Sequence, residues 1–173
     1  MSDTVEELER RPGKSATEIR DAYDDAEADD IESVHWIKRR IGGRARRRQF
    51  GDVDGRVLDV ACGTGVNFRH LPETTEVVGV DISEDMLEVA REEASELGRD
   101  IRLQQMDAQR LSFETDSFDT VVSALSTCTF PDPVEALDEM GRVCEPNGQV
   151  RLLEHHKWQV DTLGELQERR AEG

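Results

Sequence analysis

Short apolar runs alternate with longer polar segments from residue 56 onward, and this alternation predicts the fold. The runs are rich in valine and nearly continuous, which is typical of strands buried on both faces of a parallel sheet. The segments between them carry helix-capping residues or turn residues. The pattern predicts five strands, at residues 56–60, 76–80, 102–105, 118–123 and 149–153.

The predicted helices are marked by their ends. Ser83 is a candidate N-cap for a helix over 84–97 that Gly98 closes, and Asp132 caps a helix that begins at Pro133 and runs to 143. A further helix is expected at 66–71, after the first strand, and a turn at 146–148. Before residue 56 the sequence predicts helices at 17–28, with Ser15 or Thr17 as N-cap, and at 31–50, weakened at Gly42-Gly43.

Repeated strand–helix units joined by right-handed crossovers build a doubly wound parallel sheet. The predicted fold class is therefore α/β, with a ligand crevice at the carboxyl ends of the strands. At 173 residues the chain is long enough to bury one core of this type.

The first strand ends in a glycine-rich turn, Ala61-Cys62-Gly63-Thr64-Gly65, and the second strand ends in Asp81. A turn of this kind lets a ligand approach the backbone closely, and an acid at the next strand end suits a ribose-bearing cofactor. The dinucleotide fingerprint is incomplete, because Phe68 occupies its third glycine position. A nicotinamide oxidoreductase is therefore a disfavoured interpretation, and no phosphate-binding G-x-x-x-x-G-K-[ST] motif occurs.

Four motifs follow one another in order: D-x-A-C-G-T-G, V-V-G-V-D-I-S-E-D-M-L, Q-Q-M-D-A-Q-R-L and F-D-T-V-V-S-A-L. Together they resemble the class I S-adenosylmethionine-dependent methyltransferases, in particular the ubiquinone and menaquinone methyltransferase-like branch. The resemblance implies a Rossmann-like sheet with strand order 3-2-1-4-5 and S-adenosyl-L-methionine as cofactor. It departs from the family at Ala61, where a glycine is usual, and the family's last two strands, 6 and 7, are missing. We expect a helical cap segment at 1–50 and the cofactor-binding domain at 51–173.

The resemblance also implies roles for individual residues. Asp81 would accept hydrogen bonds from both ribose hydroxyls, because a carboxylate is an acceptor-only group that forms strong charge-assisted bonds. The remaining expected cofactor-binding residues lie in three places. Around adenine we expect Asp107, Ala108, Ile82 and Met86; around the amino-acid tail we expect Gly63, Gly65 and Asn67, with Ala61 in the same turn and Asp59 orienting either the turn or the cofactor amine. Ser123 opens the loop 123–130 that faces the reacting methyl group. No catalytic residue is assigned.

The charge of the chain limits the classes of partner that it can bind. The formal net charge is −17, the pI is near 4.6, and only Lys14, Lys38 and Lys157 are lysines. Such a composition suits a high-salt cytoplasm, where screening removes self-repulsion, and it argues against general nucleic-acid affinity. Arginines clustered at 39–48 could contact RNA, an acidic substrate or a lipid surface, but a solvated helix face is favoured.

The histidines and cysteines show no metal-binding spacing, and the three cysteines fit reduced thiols in a cytoplasmic protein. No apolar run is long enough to span a membrane. The leading hypothesis is an enzyme that methylates a small molecule at O, S, N or activated C. The alternative is a truncated, inactive cofactor-binding partner subunit, suggested by the missing strands 6 and 7. Without those strands the fifth strand would be an open sheet edge, which suits a homodimer.

Overall fold

The computed structural model describes residues 15–24 and 42–154. Two helices, α1 (Ala16–Asp24) and α2 (Gly43–Phe50), precede the sheet. The sheet region then runs in chain order through β1 (Arg56–Val60), β2 (Glu76–Asp81), α3 (Glu84–Glu96), β3 (Arg102–Gln105), β4 (Phe118–Ala124), α4 (Pro133–Val143) and β5 (Cys144–Leu153). Single 3₁₀ turns occur at Phe68–His70 and Thr127–Thr129.

All strand pairs are parallel, and the strand order is β3-β2-β1-β4-β5. The central strand β1 pairs with β2 from Arg56 opposite Glu76 to Val60 opposite Val80. The order reverses on either side of β1, so the carboxyl ends of β1, β2 and β4 meet at a topological switch point. The predicted fold class and strand order are confirmed, and the strands that would follow β5 in the resembled family are absent from the described residues.

The sheet is buried on both faces because successive residues of each strand point to opposite sides. Leu58 and Val121 pack with α4 in one cluster, whereas Val57 and Val122 pack with α3 and Phe50 in the other. The side chains of both strand pairs are fully buried. This two-sided burial explains why the strands appear in the sequence as continuous apolar runs.

The predicted helix caps of the sheet region are confirmed. Ser83 Oγ accepts a hydrogen bond from the Met86 amide, and Gly98, at φ 64°, closes α3. At the N-terminus, Ser15 is the cap of α1: its Oγ accepts from the Glu18 amide, and the Glu18 carboxylate accepts from the Ser15 amide, a capping box. The predicted residues 25–28 lie outside the described residues.

The expected helix at 66–71 is wrong: the chain forms only the 3₁₀ turn Phe68–His70. Gly65 precedes the turn with a left-handed φ of 77°, and Leu71 is extended at ψ 141° because Pro72 follows it. These two residues leave room for a single turn. The predicted long helix at 31–50 is described only as α2, which starts after Gly42 at φ 84°, and residues 31–41 lie outside the described part.

The last strand, β5, begins at Cys144, five residues earlier than predicted. The expected turn at 146–148 is a bulge inside β5, since Phe118 pairs with Cys144 and Thr120 already pairs with Gln149. Proline cannot donate to a strand ladder, so Pro146 lies in the bulge. Position 148 favours glycine, because a Cβ there would lie 2.6 Å from the Asp119 carbonyl oxygen.

Helix α2 covers part of the outer edge of β5. Leu153 O accepts from the Leu125 amide on the β4 side, so Leu152 O points away from β4, where it accepts from Gln49 Nε2 at 3.1 Å. Arg151 returns a bond to the Gln49 carbonyl at 2.9 Å. The expected open edge is therefore partly occupied by a side chain from the N-terminal segment. No helix within residues 15–24 and 42–154 has the length and apolar character needed to cross a bilayer.

The cap of α4 yields a prediction for stability. Asp132 accepts hydrogen bonds from the amides of Val134 and Glu135 at 2.9 and 3.1 Å. Asp132→Ala should lower the free energy of unfolding by about 0.5–2 kcal/mol, because both helix N–H groups lose their acceptor. Asp132→Asn, which keeps an acceptor oxygen, should lose much less in the same denaturant titration. Equal losses in the two variants would contradict a capping role.

Candidate cofactor site

A cleft opens at the carboxyl ends of β1, β2, β3 and β4, with α1 and α2 contributing to its wall. Glycine-rich backbone, two carboxylates, one guanidinium and several apolar side chains share its surface. The residues that line the cleft are Ile19, Arg46, Ala61, Cys62, Gly63, Thr64, Val66, Asn67, Asp81, Ile82, Met86, Met106, Asp107, Ala108, Ala124, Leu125, Ser126, Thr129, Phe130 and Pro131. The fold thus brings the predicted turn and the predicted acid into one site.

The turn after β1 uses the left-handed conformation at every second residue. Ala61, Gly63 and Gly65 have φ of 53°, 54° and 77°. A Cβ on Gly63 would meet no protein atom within 4 Å, because it would project into open space, whereas a Cβ on Gly65 would clash with the ring of Phe68. Ala61 adopts a conformation that glycine accepts without cost, and its methyl group makes the conformation less favourable but does not prevent it.

Asp81 fixes this turn to the end of β2. Its Oδ2 accepts from the Gly63 amide at 2.7 Å and its Oδ1 accepts from the Ser83 amide at 3.0 Å. The residue is 9% exposed and lines the cleft. The carboxylate therefore holds the turn and the start of α3 while it borders the cleft.

The end of β3 is held against the end of β2. The Met106 amide donates to the Asp81 carbonyl oxygen at 2.8 Å, and the next residue, Asp107, lines the cleft. Asp107 Oδ1 accepts from the Gln109 amide at 2.9 Å, which stabilises the local turn. Ile82, Met86 and Met106 supply an apolar surface in this part of the cleft.

Three polar side chains form a buried chain of contacts behind the turn. Arg46 Nε donates to Asn67 Oδ1 at 2.9 Å, and Asn67 Nδ2 donates to both carboxylate oxygens of Asp59 at 3.0 and 3.2 Å. Asp59 is fully buried, while Arg46 is 3% and Asn67 4% exposed. Arg46 and Asn67 line the cleft, and Asp59 lies behind them.

Burial controls the protonation of Asp59. Loss of hydration raises the pKa of this carboxyl group from 3.8 to about 7, with a smaller contribution from Asp81, whereas the Asn67 hydrogen bond and the positive charge of Arg46 act in the opposite direction. Burial likewise lowers the pKa of Arg46, and Asp59 counteracts this shift. The carboxyl group therefore titrates near neutral pH at a point adjacent to the cleft.

The loop after β4 is held at two points. Ser123 Oγ donates to the Val60 carbonyl at 2.7 Å and lies 2.5 Å from Ser126 Oγ. Glu154 Oε1 accepts from the amides of Ser126 and Thr127, both at 3.2 Å. These bonds direct Ser126, Thr129 and Phe130 toward the cleft.

The structure brings most of the expected site residues to the cleft surface, but not all. Those that line it are Ala61, Gly63, Asn67, Asp81, Ile82, Met86, Asp107 and Ala108. Asp59, Gly65 and Ser123 are absent from the surface, and each supports the turn or the β4 loop from behind. Their expected contact with a cofactor stays a prediction.

Sequence reasoning missed Arg46 as a site residue. It belongs to the arginine cluster, whose described members Arg44, Arg47 and Arg48 are exposed, as expected for a solvated helix face. Helix periodicity shows which arginines share a face, but it predicts that Arg46 is buried only when the side of the helix that packs on the sheet is known. In residues 15–24 and 42–154, no cluster of three His, Cys, Asp or Glu side chains is arranged to hold a metal ion.

The raised pKa of Asp59 predicts that the stability of the protein depends on pH. Between about pH 4 and pH 7 the folded protein retains a proton on Asp59 that the unfolded chain releases. This proton stabilises the folded parent relative to the Asp59→Asn variant. The difference in free energy of unfolding, parent minus variant, should therefore fall as pH rises through this window and become constant above it. Asparagine can still accept from Asn67, so the fold should persist.

Denaturant unfolding of both proteins at constant ionic strength measures this difference. Asp138→Asn, on the exposed side of α4, is the control substitution. A difference curve for Asp59→Asn that is flat, or that matches the control, would contradict the assignment.

Comparison with known proteins is consistent with this geometry. Residues 57–148 match the model of a family described as a methyltransferase domain. The chain is 37% identical over 121 residues to phosphatidylethanolamine N-methyltransferase of Cereibacter sphaeroides, a match that covers 67% of this chain and 60% of the relative. It is 41% identical over 117 residues to demethylmenaquinone methyltransferase of Staphylococcus aureus, covering 63% of this chain and 48% of the relative.

A solved structure supports the same fold. The crystal structure of the YcgJ protein from Bacillus subtilis aligns with a TM-score of 0.61 at 30% identity, covering 73% of this chain and 55% of that one. The chain thus spans roughly half to three fifths of the length of the proteins that it matches here.

Proposed function

Since this chain belongs to the methyltransferase domain family and has the class I fold of the S-adenosylmethionine-dependent methyltransferases, we propose that its cleft binds S-adenosyl-L-methionine and that it methylates a small molecule. The observation that carries the proposal is the Asp81 carboxylate. It lies at the end of β2, in the cleft, bonded to the Gly63 amide of the turn. A carboxylate in this position suits the two hydroxyls of a ribose.

The residues of the cleft fit this cofactor. Gly63 leaves open the space that a Cβ would fill, so a ligand can lie against the backbone of the turn. Ile82 and Met86 offer apolar surface for an adenine ring, and Asp107 offers an acceptor for its amino group. The amino-acid tail would lie along Gly63, Thr64 and Asn67.

The bound cofactor supplies a methyl group that its positive sulfur already activates for in-line displacement. The protein's task is then to align the acceptor and to exclude water, and alignment alone can contribute up to about 7–11 kcal/mol. The loop held by Ser123 and Glu154 is the element we assign to this task. It presents Ser126, Thr129 and Phe130 to the cleft from a fixed position.

We propose that the acceptor has an apolar body. Leu125, Phe130 and Pro131 of the β4 loop line the cleft, as does Ile19 of α1. These apolar side chains favour burial of hydrocarbon over a charged acceptor. The two named relatives carry names that specify lipid-soluble acceptors, a phospholipid and a menaquinone precursor. This chain spans only part of those proteins, so their acceptors are candidates for it and no more.

Other expectations remain proposals. We propose a cytoplasmic location at high salt, on the basis of the net charge of −17. We also keep the division into a cap segment at 1–50 and a cofactor-binding domain at 51–173, although α2 packs closely on the sheet. A homodimer through β5 would have to use the part of its edge that Gln49 leaves uncovered.

The ribose assignment is tested by titrating the full chain with S-adenosylmethionine at molar salt. Asp81→Ala should weaken binding about ten- to a hundred-fold, because charge-assisted hydrogen bonds of about 1.5–3 kcal/mol are lost. Asp81→Asn, which keeps one acceptor oxygen for the Gly63 amide, should fall between the parent and the alanine variant. Asp138→Ala is the matched surface control and should bind like the parent. Unchanged affinity in Asp81→Ala would refute the site.

Methyl transfer is tested with methyl-labelled cofactor and a panel of acceptors: phosphatidylethanolamine vesicles, reduced quinones, and small thiols and amines. We expect label on an apolar acceptor, with the cofactor KM raised in Asp81→Asn because that change weakens cofactor binding. Tight cofactor binding without transfer to any acceptor would favour the alternative, an inactive cofactor-binding subunit.

A further inference from the structure

Ser126 is a buried serine in the wall of the cleft, and both polar groups of its backbone have partners. Its amide donates to Glu154 Oε1 at 3.2 Å. Its carbonyl oxygen accepts from the Thr129 amide at 2.9 Å and from Thr129 Oγ1 at 2.7 Å. The residue is 4% exposed and lines the cleft. The backbone of Ser126 is therefore fixed, and its side chain is the part that can respond to a ligand.

The hydrogen of the Ser126 hydroxyl is committed within the protein. Ser123 Oγ lies 2.7 Å from the Val60 carbonyl oxygen, which can only accept, so the single hydroxyl hydrogen of Ser123 points at Val60. The 2.5 Å contact between Ser123 Oγ and Ser126 Oγ then needs the hydrogen of Ser126. Toward a ligand, Ser126 Oγ can therefore act only as a hydrogen-bond acceptor.

Thr129 has the same property. Its Oγ1 gives its hydrogen to the Ser126 carbonyl oxygen, and the residue lines the cleft beside Phe130. Within residues 15–24 and 42–154 no group donates a hydrogen bond to either Ser126 Oγ or Thr129 Oγ1. The loop after β4 thus offers a ligand two hydroxyl oxygens with free lone pairs and no hydroxyl hydrogen.

The backbone of this loop is held in a costly conformation. Leu125 has a left-handed φ of 58°, which residues other than glycine rarely adopt. Its amide donates to the Leu153 carbonyl, and Glu154 accepts from the next two amides, so the end of β5 keeps the turn in place. Backbone strain of this kind is concentrated at functional sites. The strain at Leu125 is therefore a second indication that the turn serves a ligand.

The two hydroxyls lie apart from the proposed contacts of the ribose and the adenine. Asp81 and Asp107 follow β2 and β3, whereas Ser126 and Thr129 follow β4, on the other side of β1. A primary amine matches two acceptor oxygens, because its two N–H groups can donate while its lone pair stays free to react. A thiolate has no hydrogen to donate, and its negative charge would meet only lone pairs.

We propose that Ser126 and Thr129 select a methyl acceptor whose reacting atom carries hydrogen, above all a primary amine, and hold it through hydrogen bonds that their oxygens accept. The inference rests on the proposed function and narrows its acceptors to N–H and, after them, O–H groups. In the transfer, the nitrogen lone pair forms a bond to the methyl carbon, the carbon–sulfur bond breaks, and its electron pair stays on the sulfur of S-adenosylhomocysteine. The methylated nitrogen then releases one proton to water.

The test uses two probes that have the same charge and the same octyl chain. At neutral pH octylamine is a cation with N–H groups, and octyltrimethylammonium is a cation without them. Calorimetry at molar salt measures both on the full chain saturated with S-adenosylhomocysteine. The parent should bind octylamine about ten- to a hundred-fold more tightly, because the hydrogen bonds form only with it. In the double variant Ser126→Ala/Thr129→Val this difference should fall below about threefold, with affinity for S-adenosylhomocysteine unchanged.

Cys128→Ala is the matched control, because Cys128 lies in the same turn, is exposed and is not among the residues that line the cleft. It should leave both affinities unchanged. Equal binding of the two probes by the parent would overturn the proposal. A preference that persists in the double variant would also overturn it, since the methyl groups on nitrogen would then act by their size alone.

Further outcomes separate this inference from the proposed function. With methyl-labelled cofactor the parent should transfer label to octylamine faster than to octanethiol, and the reverse order would overturn the inference but leave methyl transfer established. If the double variant does not fold, the two octyl probes on the parent still decide. Failure of the parent to bind S-adenosylhomocysteine would instead overturn the proposed function.

Discussion

The hydrogen bond from the Gly63 amide to the Asp81 carboxylate joins the two strand ends on which the cleft depends. It connects the turn after β1 to the end of β2 over 2.7 Å, and the second oxygen of the same carboxylate anchors Ser83, the cap of α3. One side chain therefore fixes the shape of the turn, the start of the following helix and the acidic surface of the cleft. Parallel pairing of β1 with β2 makes this contact possible, because it brings both strand ends to the same edge of the sheet.

Charged side chains border the cleft around this hydrogen bond. Acidic groups come from the ends of β2 and β3, and the guanidinium of Arg46 comes from α2 beside the turn. Asn67 links Arg46 to the buried Asp59 through hydrogen bonds at both ends of its amide.

The helical segment before the sheet is integrated with it at three places. Phe50 is fully buried in the core that α3 forms with the sheet, Gln49 caps a carbonyl on the outer edge of β5, and Arg46 enters the cleft. Unpaired strand edges favour association with other chains, so partial cover by Gln49 reduces the exposed backbone of β5. The same helix keeps an exposed arginine face in a protein of net charge −17. The inner face of α2 therefore packs on the sheet and borders the cleft, and its outer face is solvated.

The sequence by itself determined the parallel sheet, the strand order through its family resemblance, the caps at Ser83 and Asp132, and the pairing of a glycine turn with Asp81. These features depend on local information: side-chain periodicity, capping groups and backbone conformations that glycine permits. Only the tertiary structure decided that Arg46 is buried while Arg44, Arg47 and Arg48 are not, since its partner Asn67 is 21 residues away. It also decided that Asp59 and Ser123 support the cleft from behind, that residues 66–71 form a single turn, and that β5 begins at Cys144. Each of these depends on which neighbour a side chain meets after folding, and a pattern along one chain does not contain that neighbour.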